Sequence, residues 1–146
     1  MSKWVAVLVL LGSSWGISAE AAYFSLMQIP YAKSEYLLLL NTELEQVNAW
    51  DVLLDFNPKE FSIIEAKSYS PLPLLEIEKP RFSDYSHSFS FAGGMIGGVS
   101  GEVPILKIRT FGSAAPVFHV SSSTVILLHD GRGTPALITS DIAATR

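Results

Sequence analysis

The clearest pattern in the chain lies between Asn48 and Phe56, where large apolar side chains recur at every second position. Trp50, Val52, Leu54 and Phe56 share one phase, and Ala49, Asp51, Leu53 and Asp55 share the other. Successive side chains of a strand point to opposite faces, so this spacing predicts a strand with one buried face. A helix would scatter the four large apolar residues around its circumference. Asn57-Pro58 ends the strand, because proline fixes its own φ and has no N–H for a ladder.

The same reading extends along the chain. Tyr36 to Leu40 is an unbroken apolar run, the pattern of a strand buried on both faces. Phe61 to Ala66 resumes an extended segment, and Pro71, Pro73 and Pro80 bracket Leu74 to Ile77, which suits an edge strand or an irregular crossing. Ser88 to Ala92 alternates again, with Phe89 and Phe91 on one side. Gly93, Gly94, Gly97, Gly98 and Gly101 predict a loop after it. His87 and His119 fall in alternating segments of this kind, and His129 precedes a turn. Ile105 to Phe111, Val117 to Val120 and Thr124 to Leu128 are further strands, Asp130-Gly131 is a turn, and Ala136 to Thr139 closes the sheet. About nine short strands with Pro, Gly, Asn and Asp punctuation predict an all-β domain, a jelly-roll β-sandwich.

The N-terminus follows a different pattern. Met1-Ser2-Lys3 is a short positive start, Trp4 to Leu11 is unbroken apolar sequence, and Gly12, Ser13, Ser14 and Gly16 interrupt it. Ala19 and Ala21 place small residues where a signal peptidase reads them, so residues 1–21 are expected to form a signal-peptide helix cleaved after Ala21. Eight apolar residues are too few for a hydrocarbon core about 30 Å thick. Residues 22–146 then form one domain, exported to the periplasm or the extracellular space. Lys3 and Glu20 leave with the leader, and the net charge stays at −4.

That charge argues against a nucleic-acid partner, which calls for a basic face. There is no cysteine, and hence no disulfide, thiolate nucleophile or thiolate zinc site. The histidines form no HxH or HExxH arrangement, and no metal or cofactor is expected. Asp51 and Asp55, four residues apart on one strand, stand about 13 Å apart. Paired glycosidase carboxylates are closer, about 5–10 Å. Ser121-Ser122-Ser123 has no nucleophile-elbow context. The glycines after Phe91 lack the Gly-Lys-Ser/Thr end of a phosphate loop. Asp130 to Thr134 has one carboxylate where a calcium loop wants several oxygen side chains. No catalytic constellation is present, so the chain is expected not to be an enzyme.

Several motifs nevertheless resemble one family. Val47 to Pro58 (VNAWDVLLDFNP) resembles the characteristic strand of cohesin domains, an apolar and acidic alternation ending in aromatic-Asn-Pro. Glu78-Lys79-Pro80 with Phe82, then Phe89 to Gly94 (FSFAGG), resemble segments of cohesin-like domains in exported bacterial proteins. Ile105 to Ile108 and Val125 to Thr134 (VILLHDGRGT) continue the likeness in the same order. The resemblance implies a nine-stranded jelly roll without catalysis. It also implies that one sheet face, carrying this strand, binds a dockerin-like protein partner. Asp51 falls where such cohesins contact the partner, and Leu53 and Asp55 share its face; Ala49 stands where they often carry Asn. The alternative reading is a carbohydrate-binding module acting on surface polysaccharide through aromatics such as Tyr69 or Tyr85.

Overall fold

A computed structural model of the chain describes residues 21–138 and 141–145. Residues 1–20 of the expected signal-peptide helix, Ala19 among them, lie outside the described residues, and Ala21, expected to end it, is the first residue of a strand. Eleven strands run in chain order, and there is no helix among the described residues. They are β1 (Ala21–Gln28), β2 (Glu35–Asn41), β3 (Val47–Phe56), β4 (Phe61–Ser68), β5 (Leu75–Ser83) and β6 (Ser88–Val99). β7 (Glu102–Gly112), β8 (Val117–Val120), β9 (Val125–Leu128), β10 (Leu137–Ile138) and β11 (Ile142–Thr145) complete them.

The strands pair in the order β4-β7-β2-β1-β11-β8-β3-β6-β5, with β9 beside β3 and β10 beside β1. Two layers result, and β11 joins them. Its Ile142 and Ala143 pair antiparallel with Phe118 and Val117 of β8, while Ala144 and Thr145 pair parallel with Leu26 and Met27 of β1. At the opposite side the free edges β4 and β5 approach one another, and the Ser68 hydroxyl donates to the Glu76 carboxylate across them. The sandwich is therefore nearly closed, which leaves little unpaired edge.

The core confirms the phase of β3. Trp50, Val52, Leu54 and Phe56 are all buried, and the intervening Asp51 and Asp55 are exposed. Phe56, Phe61, Phe89 and Phe118 meet with ring centroids 5.5–6.2 Å apart, in tilted and edge-to-face arrangements. β2 departs slightly from its expectation. Leu38 and Leu40 enter the core, Leu39 is buried outside it, and Leu37 is only half-buried.

Three expectations need correction. The glycine-rich stretch after Phe91 is not a loop, for β6 runs on through Gly93 and Gly94 to Val99. These two glycines are there because neighbouring groups come close. A Cβ on Gly93 would lie 2.9 Å from Trp50 Nε1, and one on Gly94 would lie 2.5 Å from the Asn48 carbonyl oxygen. The edge strand predicted to stop at Ile77 continues past Pro80 to Ser83, since proline's missing N–H costs a ladder nothing on the free side. His87 lies in the β5–β6 turn with φ 54°, not in a strand.

Candidate functional site

Because β3 is amphipathic, its outward residues lie on the open face of the β8-β3-β6-β5 layer. The register sets them in rows. Asp55 lies opposite Ser88 on one side and His119 on the other, and Ser88 in turn opposes Ser83. Leu53 opposes Ser90, which opposes Arg81. Asp51 stands between Ala92 and Val125, with Glu78 beyond Ala92. Ala49 stands between Gly94 and Leu127. The β6 column is thus Ser88, Ser90, Ala92 and Gly94, all small. It leaves the centre of the face flat, with the β3 carboxylates standing above it. The sequence signal for that column is its alternation with Phe89 and Phe91.

The three residues singled out in the sequence come together on this face, with one difference. Asp51 and Asp55 are exposed, but Leu53 is half-buried rather than fully open. The cause is a change of neighbour along β3. β9 pairs with Val47 to Asp51 and β8 with Leu54 to Phe56, so the Leu53 backbone faces the gap between them. The buried Thr124 fills it. Its hydroxyl accepts the Leu53 N–H at 3.0 Å and donates to the Leu53 carbonyl at 2.9 Å, and the Ser121 N–H donates to the same carbonyl at 2.9 Å. Ser121, Ser122 and Ser123 form a hydroxyl-rich turn beside Leu53 as a result. A lone Thr at a strand start carries no sequence signal for this role, which depends on two strands meeting on a third.

The face is acidic. Asp51, Asp55, Glu78 and Asp141 contribute carboxylates; Arg81 is ion-paired to Glu78, and His119 Nδ1 lies 2.9 Å from Asp141 Oδ1. The other candidate groups of the sequence are dispersed. His87 lies in the β5–β6 turn, His119 on β8 and His129 just after β9, and among the described residues no group of three or more His, Asp and Glu could hold a metal ion. Asp130 organises its own turn: its carboxylate accepts the Thr134 hydroxyl and the Arg132 N–H, the latter at 2.8 Å. The hydroxyl bond first, and the N–H bond after it, hold the Asp130 carboxyl below the usual aspartate range. Trp50 is buried, and Tyr69 and Tyr85 are exposed at opposite ends of β5, one after β4 and the other in the turn beyond Ser83. They do not form a joint stacking surface. No helix among the described residues is long and apolar enough to cross a membrane.

No family model and no curated protein matches the sequence. Solved structures do match the fold over most of its length. A non-cellulosomal cohesin from the archaeon Archaeoglobus fulgidus superposes with a TM-score of 0.58 at 9% identity, covering 86% of this chain and 92% of that one. The chain has the cohesin fold. A type I cohesin–dockerin complex from Clostridium thermocellum matches with a TM-score of 0.59 at 6% identity, covering 86% of this chain and 95% of the other. A cohesin module from a Clostridium perfringens family 33 glycoside hydrolase matches with 0.54 at 11% identity, over 86% and 96% of the two chains. At such low identity the likeness is one of fold.

Proposed function

We propose that the chain is an exported, non-catalytic recognition module that binds a protein partner through the open β8-β3-β6-β5 face, with Asp51, Leu53 and Asp55 at its centre. The observation that carries this reading is the shape of that face. A small-residue column beside a half-buried leucine gives a flat, partly apolar centre, and carboxylates rim it, as in the core and rim of protein interfaces. The dockerin complex formed by the Clostridium thermocellum cohesin supports a protein partner for a face of this fold. Export rests on the leader, and the absence of a catalytic role rests on the dispersed reactive groups.

The immobilised domain, incubated with proteins secreted by the organism it comes from, is expected to retain a specific partner. Leu53→Glu and Asp51→Ala should each weaken that capture by about 30-fold or more, the effect of losing a hot-spot contact. Their folding free energies should stay within about 1 kcal/mol of the parent, as for other surface changes. Retention undiminished by both substitutions would place the interface elsewhere. For the leader, mass spectrometry of the secreted product should give an N-terminus at Ala22, within about two residues of the position where small side chains meet the peptidase. An intact Met1 on exported material would remove this part of the reading.

A further inference from the structure

Along the outward line of β3, Asp51 and Asp55 are each backed by a paired strand, β9 for the first and β8 for the second. Leu53, between them, has no strand on that side. In an antiparallel ladder the N–H and C=O of one residue point to the same neighbour, so β6 on the other side cannot hold them. One side chain takes both groups instead. The Thr124 hydroxyl accepts the Leu53 N–H and donates to the Leu53 carbonyl, and Thr124 is only 7% exposed. A hydroxyl has a single hydrogen to give, and here it is committed to Leu53.

Thr124 is itself fixed from behind. Ser121 to Thr124 form a turn closed by the Thr124 N–H to the Ser121 carbonyl at 3.0 Å, and the Ser121 N–H reaches the Leu53 carbonyl. The strands on either side of the turn keep ladders of their own, β8 with Leu54 to Phe56 and β9 with Val47 to Asp51. Neither ladder runs through the hydroxyl. Its removal would free the Leu53 backbone and leave β3 paired on both sides of it. Val52 and Leu54, the core residues flanking Leu53, point inward and are fully buried. The residue that the hydroxyl serves is therefore the outward one.

We infer that Thr124 is the positioning residue of the partner-binding face, holding Leu53 in the setting in which a partner meets it. The inference rests on the reading of the open β8-β3-β6-β5 face as the binding surface, and deepens it. A contact residue already held in its bound setting loses little freedom on binding, whereas a loose one must be ordered at a cost in affinity. Without the hydroxyl, the Leu53 N–H would need water in the gap between β8 and β9, because a backbone donor is not left unpaired away from solvent. The centre of the face would then loosen while its two carboxylates stayed in place. Thr124 touches no partner in this scheme; it acts through Leu53.

The test compares Thr124→Val, which keeps the branched shape and removes the hydroxyl, with Thr124→Ser, which keeps the hydroxyl. In native-state amide exchange, Thr124→Val should speed Leu53 about tenfold more than Leu38 and Ile108, core residues of the other layer that report global opening. Thr124→Ser should leave the Leu53 amide as protected as in the parent. The binding probe is the secreted protein that the immobilised parent domain retains, purified and titrated. Thr124→Val should weaken it about tenfold, the loss of preorganisation at one contact, and Thr124→Ser should restore it. On a Leu53→Glu background Thr124→Val should add no further loss, because residues that act as a unit are not additive. The inference is overturned by a Leu53 amide that exchanges as in the parent, by Thr124→Val binding like the parent, by a serine variant that fails to rescue, or by a full further loss on the Leu53→Glu background. A probe that Leu53→Glu binds undiminished removes the reading of the face and this inference with it. A probe lost to Leu53→Glu but kept by Thr124→Val removes this inference alone.

Discussion

Trp50→Ala is expected to lower the unfolding free energy by about 3–5 kcal/mol, the range for removing a large aromatic from a packed core. Trp50 occupies the inner face of β3 and is only 4% exposed. β6 passes so closely over its indole that Gly93 has no room for a Cβ. Truncation removes both the apolar surface and the platform on which this backbone rests, and the β6 backbone cannot collapse into the gap while it stays paired with β3. Urea unfolding followed by circular dichroism would measure the loss. A value below about 1 kcal/mol, typical of surface sites, would mean that the indole is not part of the core.

Gly94→Ala should produce the second-largest effect, about 1–3 kcal/mol, as for other substitutions that overfill a packed site. Gly94 pairs with Ala49, and a Cβ there would sit 2.5 Å from the carbonyl oxygen of Asn48. That oxygen belongs to the backbone of β3, so no side chain can turn aside to make room. Gly94 is not among the glycines with positive φ, and alanine therefore tests the contact rather than the backbone angle. The same unfolding measurement checks it. A protein as stable as the parent would show that the two strands can separate at this point at little cost. Such a separation would also disturb the row of Ala49, Gly94 and Leu127 on the open face, so capture of a partner should weaken along with stability.

The phase of β3 is legible in the sequence because a period of two is a local property, and the burial of four large apolar residues settles which face turns inward. For the same reason the alternation alone assigns Asp51, Leu53 and Asp55 to one face. The alternation of Ser88 to Ala92 carries the small-residue column in the same way, and the order of strands and turns follows from proline, asparagine and glycine. The motifs from Val47 to Thr134 point to the cohesin fold, which the solved structures share.

Other features depend on residues far apart in the chain. Gly93 and Gly94 read as loop formers by composition, and only the approach of Trp50 and Asn48 makes them strand residues. Leu53 reads as exposed by alternation, and only the change from β8 to β9 along β3 brings Thr124 against its backbone, 71 residues away. β11, four residues long with little apolar signal, joins the two layers because its halves pair with different strands. Local sequence sets which way each side chain points, because the pleat alternates by geometry. What stands beside it is decided by register between distant strands, which forms only when the whole core closes.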